Sequence, residues 1–237
     1  MRRSGRLLCL LGGSALLPLA GGCSVRVLEP ASETADEQAK LIALSFAIMV
    51  VVTATVLALL ARFVYRYRER PGREPGLPEQ TRGNRWLELS WIVVPILLLA
   101  VLAVPTVRLT MAQSPGAELP ADDAEAQVVH VEVQAEQFAW TFRYAGGKTS
   151  HDTLYLPAGY TAVFHLQSRD VIHSFWIPKL GGKVDVFPDR ETTLRLVDVK
   201  AGEYQGKCAE FCGTEHAWMR FTAHVVDPAA YEAWLAG

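Results

Sequence analysis

The stretch LIALSFAIMVVVTATVLALLARFV, residues 41–64, contains no charged residue before Arg62. A second apolar run, WLELSWIVVPILLLAVLAVPTV, occupies residues 86–107, and its one charge is Glu88. A helix needs roughly 20 apolar residues to cross a bilayer, and both runs reach that length. The alternative, a helix buried in a soluble core, fits runs of this length poorly. We therefore predict a transmembrane helical hairpin over residues 38–108.

The orientation of this hairpin follows from the charges between and beside the two runs. Seven arginines lie there: Arg62, Arg66, Arg68, Arg70, Arg73, Arg82 and Arg85. Loops rich in arginine and lysine stay in the cytoplasm. The segment before the first helix and everything after the second are then predicted to lie outside.

The N-terminus agrees with this orientation. Arg2, Arg3 and Arg6 precede an apolar segment at residues 7–20, which is the pattern of a signal peptide. Small residues then lead to Cys23, as in a bacterial lipoprotein cleavage site. We predict a lipoprotein-type signal peptide over residues 1–23, with Cys23 as the lipidated residue. An ordinary or uncleaved signal peptide, in which Cys23 has no role, is the alternative.

The remainder of the chain has the pattern of a β domain. Residues 109–127 are rich in Pro, Ala and acidic residues and are predicted to be a linker. Short alternating or β-branched runs follow, at 128–133, 138–144, 160–166 and 192–199. Turn-forming residues separate them, and residues 228–235 have the pattern of a short helix. An all-β sandwich or barrel is therefore predicted for residues 128–237.

The outer part of the chain is acidic, although the whole chain has a net charge of only −2. From Leu109 onward there are ten Lys or Arg against seventeen Asp or Glu, a net charge of −7. An acidic outer face steers a basic soluble partner towards it. A solvated acidic surface without a partner is the alternative. The absence of a basic patch argues against nucleic-acid binding.

The chemistry of the chain is concentrated in CAEFCGTEHAWM, residues 208–219. Cys212, His216 and Met219 place a thiolate, an imidazole and a thioether on one loop, and such a set favours copper. A copper site of this kind needs a second imidazole from an earlier strand, and His173 is the candidate. Cys208 adds a second thiolate, so the set suffices for two metal ions. The backbone carbonyl of Glu210 and the thioether are then the weak axial ligands.

Two other interpretations of the cysteine pair remain open. Cys208 and Cys212 form a disulfide in the first, as an oxidising compartment allows, or bind a structural zinc in the second. The disulfide leaves the nearby histidines and Met219 without a role, and zinc has no use for Met219. The remaining histidines, His130, His151, His165 and His224, have no ligand-like neighbours in sequence.

The loop resembles the binuclear copper (CuA) signature of cytochrome c oxidase subunit II, which reads Cys-x-Glu-x-Cys-Gly-x-x-His-x-x-Met. The segment from Asp170 to Phe175, residues 182–185 and the helical hairpin support the resemblance, which covers about residues 38–235. It implies a cupredoxin-like outer domain and a two-copper site formed by His173, Cys208, Glu210, Cys212, His216 and Met219.

The resemblance also implies a function and partners. Electrons from cytochrome c, or from a cytochrome bc complex, would pass through this subunit to haem in subunit I. That partner would reduce oxygen to water and pump protons, and subunit III would accompany it. The chain would lie in the bacterial plasma membrane with its C-terminal domain on the outer face. The enzyme would then be cytochrome-c oxidase, with its oxygen chemistry in the partner and no bond-making residue in this chain.

Two further residues are carried over from the family, and one position departs from it. The Glu210 side chain resembles a ligand to a magnesium ion shared with subunit I, and an acid that is merely solvated is the alternative. Glu88 resembles a glutamate at the mouth of a proton path into subunit I, although a carboxylate at a helix start needs no such role. Phe138 stands where the family usually has the tryptophan that receives electrons. We expect either that Trp140 or another aromatic residue replaces it, or that the donor is a bound cytochrome in a larger assembly.

Other functions are distinguished by the same residues. Quinol-oxidising relatives lack the copper ligands, whereas all six positions are intact here. A subunit of a CuA-containing nitric oxide reductase remains an alternative. A stand-alone membrane-tethered copper protein is another, although it would need one anchor and not a hairpin.

Overall fold

The computed structural model describes residues 26–69, 72, 82–114 and 127–237. The predicted signal peptide with Cys23, part of the arginine-rich loop and most of the predicted linker lie outside the described residues. Within the described residues the chain forms two long helices, a β domain of two sheets and a short C-terminal helix. The predicted order of a two-helix hairpin followed by an all-β domain is confirmed.

The hairpin consists of α1 (Glu33–Tyr67) and α2 (Arg85–Ala112). Both are long and apolar enough to cross a membrane, judged by length and composition. The 35 residues of α1 extend about 52 Å, well beyond a hydrocarbon core of ~30 Å. Both helices are longer than the apolar runs at 41–64 and 86–107, because polar residues continue them. The first residues of the predicted linker thus belong to α2.

Ten strands form the β domain. They are β1 (Val128–Glu136), β2 (Ala139–Tyr144), β3 (Thr149–His151), β4 (Thr153–Pro157), β5 (Thr161–Ser168), β6 (His173–Trp176), β7 (Val184–Val186), β8 (Thr192–Leu196), β9 (Gly202–Cys208) and β10 (Arg220–Val226). A C-terminal helix, α3 (Pro228–Ala236), closes the chain and agrees with the short helix predicted there.

The strands form two five-stranded sheets. One has the order β3-β2-β1-β5-β8 and the other β4-β10-β9-β6-β7. Two pairs are parallel, β1 with β5 and β10 with β4, and the other neighbours are antiparallel. Parallel neighbours cannot be joined by tight hairpins, so the chain crosses between the sheets and builds a sandwich.

Aromatic side chains fill the space between the sheets. The largest aromatic side chains that are fully or almost fully buried there are those of Trp140, Phe142, Phe164, Phe175 and Phe221. The rings of Phe175 and Phe221 stack with centroids 5.0 Å apart, and Trp140 meets His173 edge-on at 6.2 Å. Each large ring removes substantial apolar area from water, and together they account for much of the stability of the sandwich.

The N-terminal end of α1 is joined to the β domain by hydrogen bonds. Ser32 caps α1 by accepting from the amide of Ala35 at 3.0 Å, and its hydroxyl donates to the carbonyl of Leu180 at 2.5 Å. The hydroxyl of Thr34 accepts from the amide of Val197 at 2.9 Å. Because Ser32 and Thr34 are buried, these contacts fix the domain on top of the hairpin.

Candidate metal centre

The candidate centre lies where one loop returns from β9 to β10. Cys208 ends β9, and a short 3-10 helix over His216–Trp218 precedes β10. The amide of Cys208 donates to the carbonyl of Met219 at 2.9 Å and closes the loop. The amide of Ala209 donates to the carbonyl of Ser174 at 2.9 Å, which ties the loop to β6. The β-sheet therefore brings His173 to a loop that is distant in sequence.

A glycine is required at the turn of this loop. Gly213 has a φ of +137°, which side-chain-bearing residues rarely adopt. A Cβ atom there would also lie 3.0 Å from the Phe138 ring. The close approach of Phe138 to the backbone seals one side of the loop.

The three sulfur atoms are neighbours but not bonded. Cys208 Sγ lies 3.9 Å from Cys212 Sγ, and Cys212 Sγ lies 3.7 Å from Met219 Sδ. A disulfide requires sulfurs about 2.05 Å apart, so both thiols are free here. All three residues are buried.

Each imidazole contacts a different thiol. His173 Nδ1 lies 3.8 Å from Cys208 Sγ, and His216 Nδ1 lies 3.5 Å from Cys212 Sγ. His173, Cys208 and Cys212 are close enough together to hold a metal ion. The arrangement is near-symmetrical, with one imidazole for each sulfur of the central pair.

Glu210 turns its backbone and its side chain in different directions. Its carbonyl oxygen lies 3.2 Å from Cys208 Sγ, on the side of the thiols. Its carboxylate lies 3.8 Å from Lys183 Nζ and is partly exposed. The backbone carbonyl and the side-chain carboxylate of Glu210 are therefore placed to contact different partners.

The two thiols differ in their tendency to ionise. Burial disfavours the Cys208 thiolate, but hydrogen bonds with His173 and with backbone groups outweigh burial and lower its pKa. Burial and the nearby Cys208 charge raise the pKa of Cys212. Without a cation, the pair therefore holds one thiolate easily and resists the second. Metal ions favour both thiolates, so the donors fit soft cations bound between them.

A second layer of contacts orients the donors, and residue patterns alone did not reveal it. Asp170 Oδ1 lies 2.8 Å from His173 Nε2, and its Oδ2 accepts from the amide of Gln137 at 2.7 Å. Burial works against the Asp170 carboxylate, but these hydrogen bonds outweigh it and lower its pKa. The Gln137 side-chain amide donates to the carbonyl of Cys212. The position of Asp170 three residues before a candidate ligand was the only signal in the sequence.

The aromatic residues near the centre are not placed as the sequence suggested. Trp140 has 0% exposure, so it offers no exposed ring to replace the tryptophan, and the other predicted option, a different aromatic residue, is left. Phe138 is only partly buried. Phe211 and Trp218, on the loop itself, are 76% and 77% exposed. They are the large exposed rings beside the candidate centre within the described part of the chain.

The remaining predicted site residue lies at the far end of the hairpin. Glu88 is in the first turn of α2, whose N-terminus is capped by Asn84. The opposite end of α2 reaches the β domain, where Arg195 donates to the carbonyl of Ala112. Along the helix Glu88 is about 36 Å from that end, so it takes no part in the metal centre.

Comparison with known proteins matches both parts of the chain to one family. Residues 23–109 match a model described as the cytochrome c oxidase subunit II transmembrane domain. Residues 147–226 match one described as the periplasmic domain of the same subunit, and this range includes every residue of the candidate centre. The hairpin thus corresponds to the family's transmembrane domain, and the β-sandwich corresponds to its periplasmic domain.

The individual relatives are named either cytochrome c oxidase subunit 2 or quinol oxidase subunit 2. Cytochrome c oxidase subunit 2 of Bacillus sp. (strain PS3) is 39% identical over 97% of this chain and 67% of its own length. The same subunit of Alkalihalophilus pseudofirmus is 37% identical over 82% of this chain and 56% of its own length. Quinol oxidase subunit 2 of Bacillus cereus is 33% identical over 97% of this chain and 79% of its own. The chain therefore spans only part of the length of these relatives.

Proposed function

Because the chain belongs to the cytochrome c oxidase subunit II family, we propose that it is the electron-accepting subunit of a proton-pumping terminal oxidase. In this proposal it takes electrons from cytochrome c at a pair of copper ions and passes them to haem in subunit I, which reduces oxygen to water. The observation that supports it is the convergence of two thiols, two imidazoles and a thioether at 3.5–3.9 Å.

The residues of the centre have separate roles in this proposal. Cys208 and Cys212 would each supply a thiolate to the pair of copper ions, and His173 and His216 would each supply an imidazole. Met219 and the Glu210 carbonyl would complete the donor set. When bound, the ions would supply one-electron transfer, and a charge change spread over two ions would move the ligands little. This suits rapid electron passage, and no residue here makes or breaks substrate bonds.

The protein around the donors limits their movement. Asp170 accepts from His173 and fixes the direction of its other ring nitrogen. Burial of Cys208, Cys212 and Met219 keeps water from the sulfurs. Because the donor side chains can move little and water is kept from the sulfurs, the structural rearrangement that accompanies electron transfer is reduced.

Two carboxylates are proposed for the contacts with subunit I. The Glu210 carboxylate is partly exposed, and its hard oxygen atoms are of the kind that magnesium prefers, which supports a role as a ligand to a shared magnesium ion. Glu88, near the inner end of the hairpin, is proposed at the mouth of a proton path into subunit I. Subunit III is proposed as a further partner.

The proposed location is the bacterial plasma membrane, with the β domain facing outward. The net charge of −7 from Leu109 onward supports a basic electron donor such as cytochrome c, free or as part of a larger assembly. Exposed Phe211 and Trp218 mark the face of the centre where large rings reach solvent.

The intact donor set also separates this proposal from the quinol oxidase relatives. A subunit that receives electrons directly from quinol has no need of two buried thiols beside two imidazoles. A copper-containing nitric oxide reductase would use the same centre, so the acceptor reaction is identified by the haem-bearing partner that co-purifies.

The test is a copper count and an electron paramagnetic resonance spectrum of the complex purified from membranes. We expect two coppers in this chain sharing one unpaired electron, together with oxidation of reduced cytochrome c. The Cys212→Ser variant should lose the shared-electron spectrum and the activity, whereas His151→Gln, on exposed β3, should retain both. One copper per chain, a bound zinc or a Cys208–Cys212 disulfide in the active complex would contradict the proposal.

A further inference from the structure

A second cluster of possible ligands lies on the outer face of the sheet that contains β1, β5 and β8. His130 of β1 and His165 of β5 stack with ring centroids 5.4 Å apart. His130 Nδ1 lies 3.1 Å from His165 Nε2. Two ring nitrogens at that separation fit either one hydrogen bond or two ligand positions around a single ion.

A carboxylate fixes the tautomer of His165. Glu191 Oε1 lies 2.9 Å from His165 Nδ1 and accepts its hydrogen. Nε2 of the neutral ring then carries the lone pair, and it faces His130. A carboxylate that holds the far nitrogen of a metal-binding histidine is a common supporting contact in protein metal sites.

The surroundings of the pair favour a cation over an anion. Glu132 is the register partner of His165 across the parallel β1–β5 pair. Glu132, Glu191 and both histidines line a surface cavity of about 520 Å³. Arg143 lines it too and opposes a cation, but its guanidinium donates to Gln134 at 3.1 Å. Two carboxylates against one guanidinium leave the cavity with net negative charge.

We propose that this cavity is a binding site for a divalent cation of the zinc type. His130 Nδ1 and His165 Nε2 are the nitrogen ligands, and Glu132 completes a three-ligand set by rotating its exposed side chain. Water fills the open position. Imidazole and carboxylate suit zinc, whereas the sulfur-rich loop of the copper centre suits a softer ion. The ion would join β1 to β5 and is independent of the proposed oxidase function.

The competing explanation is a chain of hydrogen bonds without metal, from His130 to His165 to Glu191. The metal site and the hydrogen-bond chain predict different effects of removing one imidazole on zinc binding. A hydrogen-bond chain gives no zinc affinity to lose, whereas a two-imidazole site loses half of its nitrogen ligands.

The test uses the full-length chain in detergent, loaded with copper so that the thiols are occupied. Zinc bound per chain is measured by equilibrium dialysis and mass spectrometry. We expect one zinc per wild-type chain and at least a tenfold loss of affinity in His165→Gln. The matched control is His224→Gln, because His224 also faces a carboxylate, Glu203, at 3.7 Å, and we expect wild-type binding there.

Two further measurements make the result decisive. Zinc should raise the thermal unfolding temperature of the copper-loaded wild-type chain and leave that of His165→Gln unchanged, because a ligand that binds only the folded state stabilises it. A Cys208→Ala, Cys212→Ala chain should still bind one zinc at the histidine site, even if the copper proposal fails. Equal zinc affinity in wild type and His165→Gln would overturn the proposal.

Discussion

His173 and Cys208 are 35 positions apart in the chain, yet their side-chain atoms lie 3.8 Å apart. The register of β6 with β9 produces this contact, since Phe175 pairs with Cys208. Asp170 then holds the far nitrogen of His173. At the scale of single residues, the spacing of the ligands could be predicted from the sequence, whereas the supporting contact required the fold.

The role of Asp170 gives a prediction about copper retention. Asp170→Asn keeps the shape of the side chain but removes the negative charge opposite His173 Nε2. We expect copper affinity to fall by ~10–100-fold, as for other carboxylates behind metal-binding histidines. The measurement is copper retained against a graded chelator, with the resonance spectrum recorded in parallel.

The control for this substitution is Asp189→Asn. Asp189 is exposed and pairs with Arg190, so its replacement should leave copper retention unchanged. Equal retention by the Asp170 variant and wild type would show that Asp170 does not position His173.

At the scale of elements, apolar runs identified the helices but not their ends. The run at 41–64 corresponds to the part of α1 that fits a bilayer, while the observed helix begins at Glu33. Glu33 and Asp36 lie in its first turn, where negative charge is favourable, and Ser32 supplies the cap. The short, buried strand β6 has no alternation, so no period-2 pattern indicated it.

The dual contact of Ser32 gives a prediction about stability. Ser32→Ala removes an N-cap, which costs about 1 kcal/mol. It also removes the donor to the buried carbonyl of Leu180, which adds about 1–3 kcal/mol. We expect the free energy of unfolding of the outer domain to fall by about 2–4 kcal/mol, measured by urea titration in detergent.

Ser45→Ala is the matched control for that experiment. Ser45 is also on α1, but its hydroxyl donates to Leu41 within the same helix at 3.2 Å. We expect a change within ~0.5 kcal/mol. An equal effect of the two substitutions would mean that the contact between hairpin and domain contributes no stability.

At the scale of the whole molecule, positive and negative charge are concentrated in different parts of the chain. Arginines gather around the connection between α1 and α2, and acidic residues dominate the β domain. The near-neutral total conceals this separation. The same division predicts the orientation of the hairpin, with the acidic β domain on the outer face.

The orientation is tested by labelling with a maleimide that does not cross membranes. Glu232→Cys, exposed on α3, should be labelled in cells whose plasma membrane is intact. Arg68→Cys, exposed just after α1, should be labelled only after that membrane is permeabilised. The parent chain provides the background. Labelling of Arg68→Cys in intact cells would reverse the topology.

The hairpin, the class of the outer domain and the candidate donor residues could all be predicted from the amino-acid sequence. These features are local, because a bilayer-length apolar run and a Cys–His–Met loop each lie within one continuous stretch of sequence. The contacts between residues on different strands could not be predicted and became visible in the folded domain. The fold placed His173 beside Cys208, buried Trp140, and brought His130 to His165, because pairing between sheet neighbours depends on register and on topology that no local pattern encodes.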